Sequence, residues 1–297
     1  MQTPLYVWQR PSCRPDASVV QPPRSISVMK RIVNCDQADT PWKYHDAPEA
    51  IGYSRVKLSA VDAYAETLTT HAAVAVVQGK ILWEYGDTTE LSYIASVRKS
   101  ILSMLFGNYV ANGTIDLDLT LDDLGVDDVQ GLMPIEKQAT VKDIISARSG
   151  IYHPASNSGD DTDAAPNRGS KKPGEYFLYN NWDFNAAGSI FEKLTGLSIY
   201  DAMSKDLTRP LGFEHWNREM HKKTGDSSRS VNLAYHFVLS THDMARLGEL
   251  MLRDGCWEGD QLIPQSWIRL ITSAHTQNTD MNPQIHRDSE FGYGYMW

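Results

Sequence analysis

The sequence predicts an α+β fold: an antiparallel sheet flanked by helices, with a large helical region inserted after the first strands. Three features point there. AAVAVVQGKILWEYG (72–86) reads as two strands meeting at a tight turn. The stretch after Ser96 is a succession of helical segments closed by glycine or proline. The final FGYGYMW reads as the start of a returning strand.

With 297 residues the chain can bury a sizeable core. Residues 1–50 are rich in Pro, Asp and Arg with little periodicity, which predicts an irregular N-terminal arm ahead of a folded domain over 51–297. VKLSAVDAYAETL (56–68) suits an amphipathic helix. The following hairpin turns around Gln78-Gly79-Lys80, and the apolar density of its first strand predicts a central place in a sheet. SILSMLFGNYVANG carries apolar residues at helical spacing and stops at Gly113. Thr140 is the natural N-cap of TVKDIISARSG. The polar stretch from Ser156 to Gly174 is a loop long enough to carry function. NNWDFNAAGSIFEKLTG is a helix closed by Gly196, and IYDAMSKDL is expected to break before Pro210. STHDMARLGELMLRDG and IPQSWIRLIT supply the last two helices.

Composition excludes several classes. A net charge of −9 with scattered basic residues repels a phosphate backbone, so no nucleic-acid partner is expected. No segment has the apolar length of a membrane span, and the N-terminus lacks the apolar core of a signal peptide. Three cysteines, Cys13, Cys35 and Cys256, permit at most one disulfide and form no CxxC pair. The nine histidines show no metal-ligand spacing, and Asp160, Asp161 and Asp163 fit no EF-hand, so no metal is expected. Trp182 and Trp216 could line a cleft, but aromatics at helical spacing more often belong to a core. There is no P-loop, no G-x-G-x-x-G and no G-x-S-x-G elbow.

Two short motifs carry chemistry. Ser96-Val97-Arg98-Lys99 is an S-x-x-K tetrad; Ser27–Lys30 and Ser54–Lys57 share its spacing, but only Ser96 follows a hairpin and opens a strongly apolar helix. There the lysine lies on the serine's face of the helix, and the helix N-terminus offers free N–H groups to a developing anion. Tyr179-Asn180-Asn181 stands just before another helix, where a tyrosine can project its hydroxyl into a cleft while Asn181 caps the helix or binds substrate.

Ser96-x-x-Lys99 followed some eighty residues later by Tyr179-x-Asn181 resembles the class C β-lactamase and penicillin-binding-protein family of serine hydrolases. Glu192-Lys193-Leu194-Thr195-Gly196 and LSTHDMARLGELML are similar to later helices of that family, so the likeness covers roughly residues 55–297. It implies a β-lactamase/DD-peptidase-like catalytic domain in which Ser96 attacks an ester or amide carbonyl, a β-lactam included, and forms an acyl-enzyme. It also implies a small-molecule or peptide-like substrate and no cofactor. Lys99 and Tyr179 would share the acid and base roles, with either as the acylation base. Lys99 would have to be desolvated or beside a cation, and Tyr179 beside an ammonium would be pushed towards phenolate. Asn181 would hold the substrate's acyl side chain or position Lys99.

The family's third motif, Lys/His-Ser/Thr-Gly, is matched in letters by Lys223-Thr224-Gly225. That triplet lies in a polar, turn-like stretch before the STHDMARLGELML helix, whereas the family places it later, so it is read as a coincidence. The expectation is a chain cut short ahead of the true triplet, with one oxyanion donor lost. The rival is a non-catalytic ligand-binding or sensor protein retaining the fold. By analogy with the family, the protein acts in the periplasm or outside the cell.

Overall fold

The computed structural model describes residues 41–297, so most of the arm expected over residues 1–50, with Ser27, Cys13 and Cys35, lies outside the described residues. The last part of that stretch is tied down. Trp42 Nε1 donates to the His242 carbonyl at 3.2 Å, and Lys43 and His45 bracket Ile81 through backbone hydrogen bonds. A single turn over Pro48–Ile51 leads to α1 (Arg55–Ala65), where Ser54 accepts from the Lys57 N–H. Ser54 is thus a helix cap, as its polar position before the helix favours.

The hairpin follows as β1 (Ala72–Val77) and β2 (Lys80–Gly86), antiparallel, with Val77 opposite Lys80. Gln78 and Gly79 form the two-residue turn with φ of +51° and +75°, the doubly left-handed geometry whose twist matches the strands. Then come β3 (Ser92–Tyr93), α2 (Val97–Ala111), α3 (Val141–Ile145), α4 (Asn181–Thr195) and α5 (Ile199–Met203). After a π turn, α6 (Arg209–Leu211) leads to β4 (Lys223–Thr224), β5 (Ala234–Tyr235) and β6 (Val238–Leu239). α7 (Thr241–Leu252), β7 (Cys256–Trp257), β8 (Asp260–Gln261) and α8 (Gln265–Ile271) complete the order. The strands pair antiparallel as β1–β2, β3–β6, β4–β5 and β7–β8. Thr140 and Asp143 form a reciprocal capping box on α3, and Gly196 closes α4 in the left-handed conformation.

The structure departs from expectation at four places. β1 pairs with β2 alone among the described residues and all six of its residues are half-buried, so it is not central; α7 packs against it. The helix from Ile199 does not stop before Pro210. A π turn over Ser204–Thr208 absorbs the register change and places Pro210 in the first turn of α6, where no N–H is needed. Lys223-Thr224 is not a bare turn but a two-residue strand against β5. FGYGYMW forms no strand: Tyr293 bridges Thr276, and the carbonyls of Tyr295 and Met296 accept from Ser103 and Ser100 of α2. Gly294 permits this docking, since a Cβ there would sit 2.0 Å from the Ile271 carbonyl oxygen.

The core lies between α2 and α4, where Phe106 and Tyr109 meet Phe191 at ring separations of 5.5 and 5.2 Å. Beside it Asp128 joins three distant segments. Its carboxylate accepts from Trp182 Nε1 and Ser230 Oγ at 2.6 Å, Val129 N–H at 2.7 Å, Val231 N–H at 2.8 Å and Asn232 Nδ2 at 3.0 Å. Burial alone would push this carboxyl up, yet the donors from Ser230, Val231, Val129 and Trp182 hold it below the usual range. Trp182, weighed above as a cleft residue, is core.

A depressed carboxyl stabilises the fold above its ordinary pKa and loses that contribution as pH falls through the folded value. Asp128→Ala should therefore cost on the order of 3 to 5 kcal/mol at neutral pH, because it strands buried donors. Urea unfolding at pH 7 measures it, and a loss below about 1 kcal/mol would contradict this account.

Candidate active site

The site begins with a backbone turn. Ile94 N–H donates to the Phe237 carbonyl, anchoring the end of β3, and Ala95 then takes φ +46°. A left-handed alanine is strained by roughly 1 kcal/mol or more. It redirects the chain into α2 so that Ser96, the N-cap residue, stands exposed with its hydroxyl free of any capping bond. Among the described residues the Ser96 N–H has no hydrogen-bond partner either.

Lys99 lies one turn on, with 2% of its surface exposed. Its Nζ is 3.2 Å from Ser96 Oγ and 2.6 Å from Tyr179 Oη, donating to both. The ring of Tyr179 and that of Phe184, centred 4.0 and 4.3 Å away, shield it from water. No carboxylate forms an ion pair with Lys99 among the described residues. Burial first, and then the neighbouring Arg98 charge, lower the amine to about 6, against the opposing pull of Asp160 and Asp161. Lys99 is thus both desolvated and beside a cation, and both favour the uncharged amine. The expected shift of Tyr179 towards phenolate is corrected: burial raises its pKa, outweighing the hydrogen bond of Ser96 and the Arg98 charge. The physical reason is that burial of the phenol disfavours its charged form, with the Asp161 and Asp160 carboxylates adding to it.

Tyr179 is held by the segment around it. Asn180, not Asn181, caps α4, accepting from the Asp183 N–H at 2.9 Å. Asn181 is buried; its N–H donates to Asp160 Oδ2 at 2.8 Å and its Nδ2 to the Ser158 carbonyl at 2.9 Å. The side chain expected to meet substrate is committed here to the long loop. Asp161 N–H donates to the Tyr179 carbonyl, and His286 Nε2 lies 2.8 Å from Asp161 Oδ2. Asn157, Ser158, Asp160 and Asp163 of the loop, with Arg229, line a half-open polar cavity of about 220 Å³.

Ser96, Lys99 and Tyr179 thus come together, while Asn181 is tied to the loop beside them. Lys223 is occupied elsewhere, paired with Glu192 on α4. The sequence reasoning passed over Phe184, Asp160 and Asp161 as parts of the lysine's surroundings, and Arg98 above all. The signal for Arg98 was available, a charged residue within the opening turn of an otherwise apolar helix. Among the described residues no group of three or more His, Cys, Asp or Glu is placed to hold a metal ion, and no helix is long and apolar enough to cross a membrane.

Comparison with known proteins bears on the family and the fold. The β-lactamase family model matches residues 61–297. Solved structures share the fold at low identity. A protein assigned as a 6-aminohexanoate-dimer hydrolase from Bacillus anthracis is 19% identical with a TM-score of 0.58, over 82% of this chain and 67% of its own. The octameric penicillin-binding protein homologue from Pyrococcus abyssi is 18% identical with a TM-score of 0.57, over 82% of this chain and 64% of its own. A penicillin-binding protein homologue from Caulobacter crescentus is 16% identical with a TM-score of 0.56, over 86% and 82%.

A buried amine with its pKa lowered from 10.5 to about 6 leaves the folded chain with fewer protons than the unfolded one between those values, so stability rises with pH across that window. Lys99→Met should remove the penalty, raising Tm at pH 7 by a few degrees and flattening its pH slope. Thermal melts from pH 6 to 9 read this directly; a lower Tm throughout would contradict it.

Proposed function

The chain belongs to the β-lactamase family, and on that premise we propose that it is a serine hydrolase cleaving an ester or amide bond through an acyl-enzyme on Ser96. The single observation that carries this is the position of the Lys99 amine, buried and within hydrogen-bond reach of both the Ser96 hydroxyl and the Tyr179 phenol.

The free amine of Lys99 is matched to accept the Ser96 proton near neutral pH, as general-base catalysis requires. Ser96 Oγ then bonds to the substrate carbonyl carbon, and the carbonyl oxygen takes the negative charge. The unpartnered Ser96 N–H at the mouth of α2 is available to stabilise that oxyanion. Collapse of the tetrahedral intermediate breaks the ester or amide bond, and the proton held by Lys99 or relayed through the Tyr179 phenol goes to the leaving group. A water molecule, giving its proton back to the same pair, then hydrolyses the acyl-enzyme. The raised pKa of Tyr179 suits a neutral phenol that donates and relays rather than a standing phenolate. Lys99 supplies the base, so these steps call on no metal or organic cofactor.

The polar cavity along the long loop, lined by Asn157, Ser158 and Arg229, has room for a small-molecule substrate. The structural neighbour assigned as a 6-aminohexanoate-dimer hydrolase makes linear amides a class to assay beside esters and β-lactams.

A fluorophosphonate probe should give a single covalent adduct, mapped to Ser96 by peptide mass spectrometry and absent in Ser96→Ala. Lys99→Met should slow its formation by about 10² or more, the usual scale for a lost general base, and Tyr179→Phe should slow hydrolysis of p-nitrophenyl esters comparably. Absence of an adduct on the unmodified chain would favour a ligand-binding role for the fold.

A further inference from the structure

Arg98 is the residue of the S-x-x-K tetrad for which the acyl-enzyme mechanism has no use, yet it is as deeply buried as Lys99, with 2% of its surface exposed. A guanidinium cannot shed its charge, so burying one without a carboxylate is costly and calls for a cause. Among the described residues Arg98 forms no ion pair. Its Nη2 donates to Asn185 Oδ1 at 3.0 Å, a neutral acceptor on α4. Its Cζ lies 4.4 Å from the centre of the Tyr235 ring on β5, and its Nη1 is buried with no hydrogen-bond partner. The adjoining position on the same helix is Lys99.

We infer that Arg98 is a positioning residue for the proposed hydrolysis: a permanent buried positive charge, left without a counter-ion so that its field keeps the Lys99 amine uncharged and ready to accept the Ser96 proton. The inference rests on the serine-hydrolase reading of the site and deepens it. Asn185 is suited to the task. It fixes the guanidinium in place while an amide oxygen leaves the charge unneutralised, whereas an aspartate at the same spot would cancel it. Its own Nδ2 is held by Asn157 Oδ1 at 2.8 Å, so the acceptor oxygen stays turned towards Arg98.

The charged and titratable groups around the amine are few. Arg98 acts from α2, against Asp160 and Asp161 of the long loop. Tyr179 is neutral and in direct contact. On α4, Asp183 is held towards its uncharged form by burial. Beside β5, Tyr235 and His236 are pushed towards their neutral forms, chiefly by burial. From α5, Tyr200 is likewise kept neutral by burial. Arg98 is therefore the cation that opposes the two loop carboxylates.

The test is the pH dependence of Ser96 acylation by the fluorophosphonate probe, followed with the full chain from pH 4.5 to 9. The unmodified chain should show an acid limb near pH 6, the value of the Lys99 amine. Arg98→Met and Asn185→Asp remove or neutralise the charge by different routes, and each should move that limb upward by about one unit, slowing acylation roughly fivefold at pH 6 while leaving the plateau at high pH within a few-fold. Arg98→Lys keeps the charge and should keep the limb. Asn185→Asp preserves size and leaves Arg98 in place, so it reads the same charge should Arg98→Met fail to fold. A limb unmoved in either folded neutralising variant, or moved equally by Arg98→Lys, overturns the role of Arg98 while leaving the acylation itself intact. No adduct on the unmodified chain at any pH overturns the hydrolase reading and this inference together.

Discussion

Everything at the mouth of α2 is arranged around an amine that must stay dry. Lys99 can serve as a base near neutrality only if water is kept from it, and three separate parts of the fold do so. The left-handed turn at Ala95 brings α2 in at the angle that buries Lys99 while leaving Ser96 outside. α4 contributes the ring of Phe184, and the segment leading into it contributes Tyr179. The packing of α2 on α4 through Phe106, Tyr109 and Phe191 fixes the distance between the two halves. Loosening any of these admits solvent and returns the amine to its ammonium form.

Three buried ionisable groups take different fates according to what surrounds each of them. Asp128 receives five donors and keeps its charge against burial. Asp183 has one oxygen bonded by Ser149 and the other without a partner, and burial drives it towards the neutral acid. Lys99, with two hydroxyl neighbours and no carboxylate partner, loses its proton instead. The same low-polarity interior thus holds an anion for structure and a free base for chemistry.

The hairpin, the main helices and the meeting of Ser96, Lys99 and Tyr179 were legible in the sequence because each has a local signature. Gln78-Gly79 fits only a tight hairpin turn, Thr140 and Asp143 form a box readable from their spacing, and Ser96 to Lys99 is one helical turn. What was not legible depended on contacts distant in sequence. The half-burial of β1 is a property of what covers it, not of its apolar letters. The helix through Pro210 continues because a π turn offsets the proline, and nothing in SKDLTRPL marks such a turn. Asn181 looked free for substrate because Ser158 and Asp160, more than twenty residues back, gave no sign of closing on it. The direction of Tyr179's shift was not legible for a related reason: the burial that raises it comes from segments distant in sequence.

The loop from Ser156 to Asp163 stands in two relations to the site at once. Asn157, Ser158 and Asp160 line the cavity beside it, and Asp160 and Asp161 also bear on the protonation of Lys99. In the proposed hydrolysis, a change in that loop that alters which molecules enter also shifts the pH at which Ser96 is activated. In the proposed hydrolysis, substrate choice and working acidity are therefore coupled through one segment.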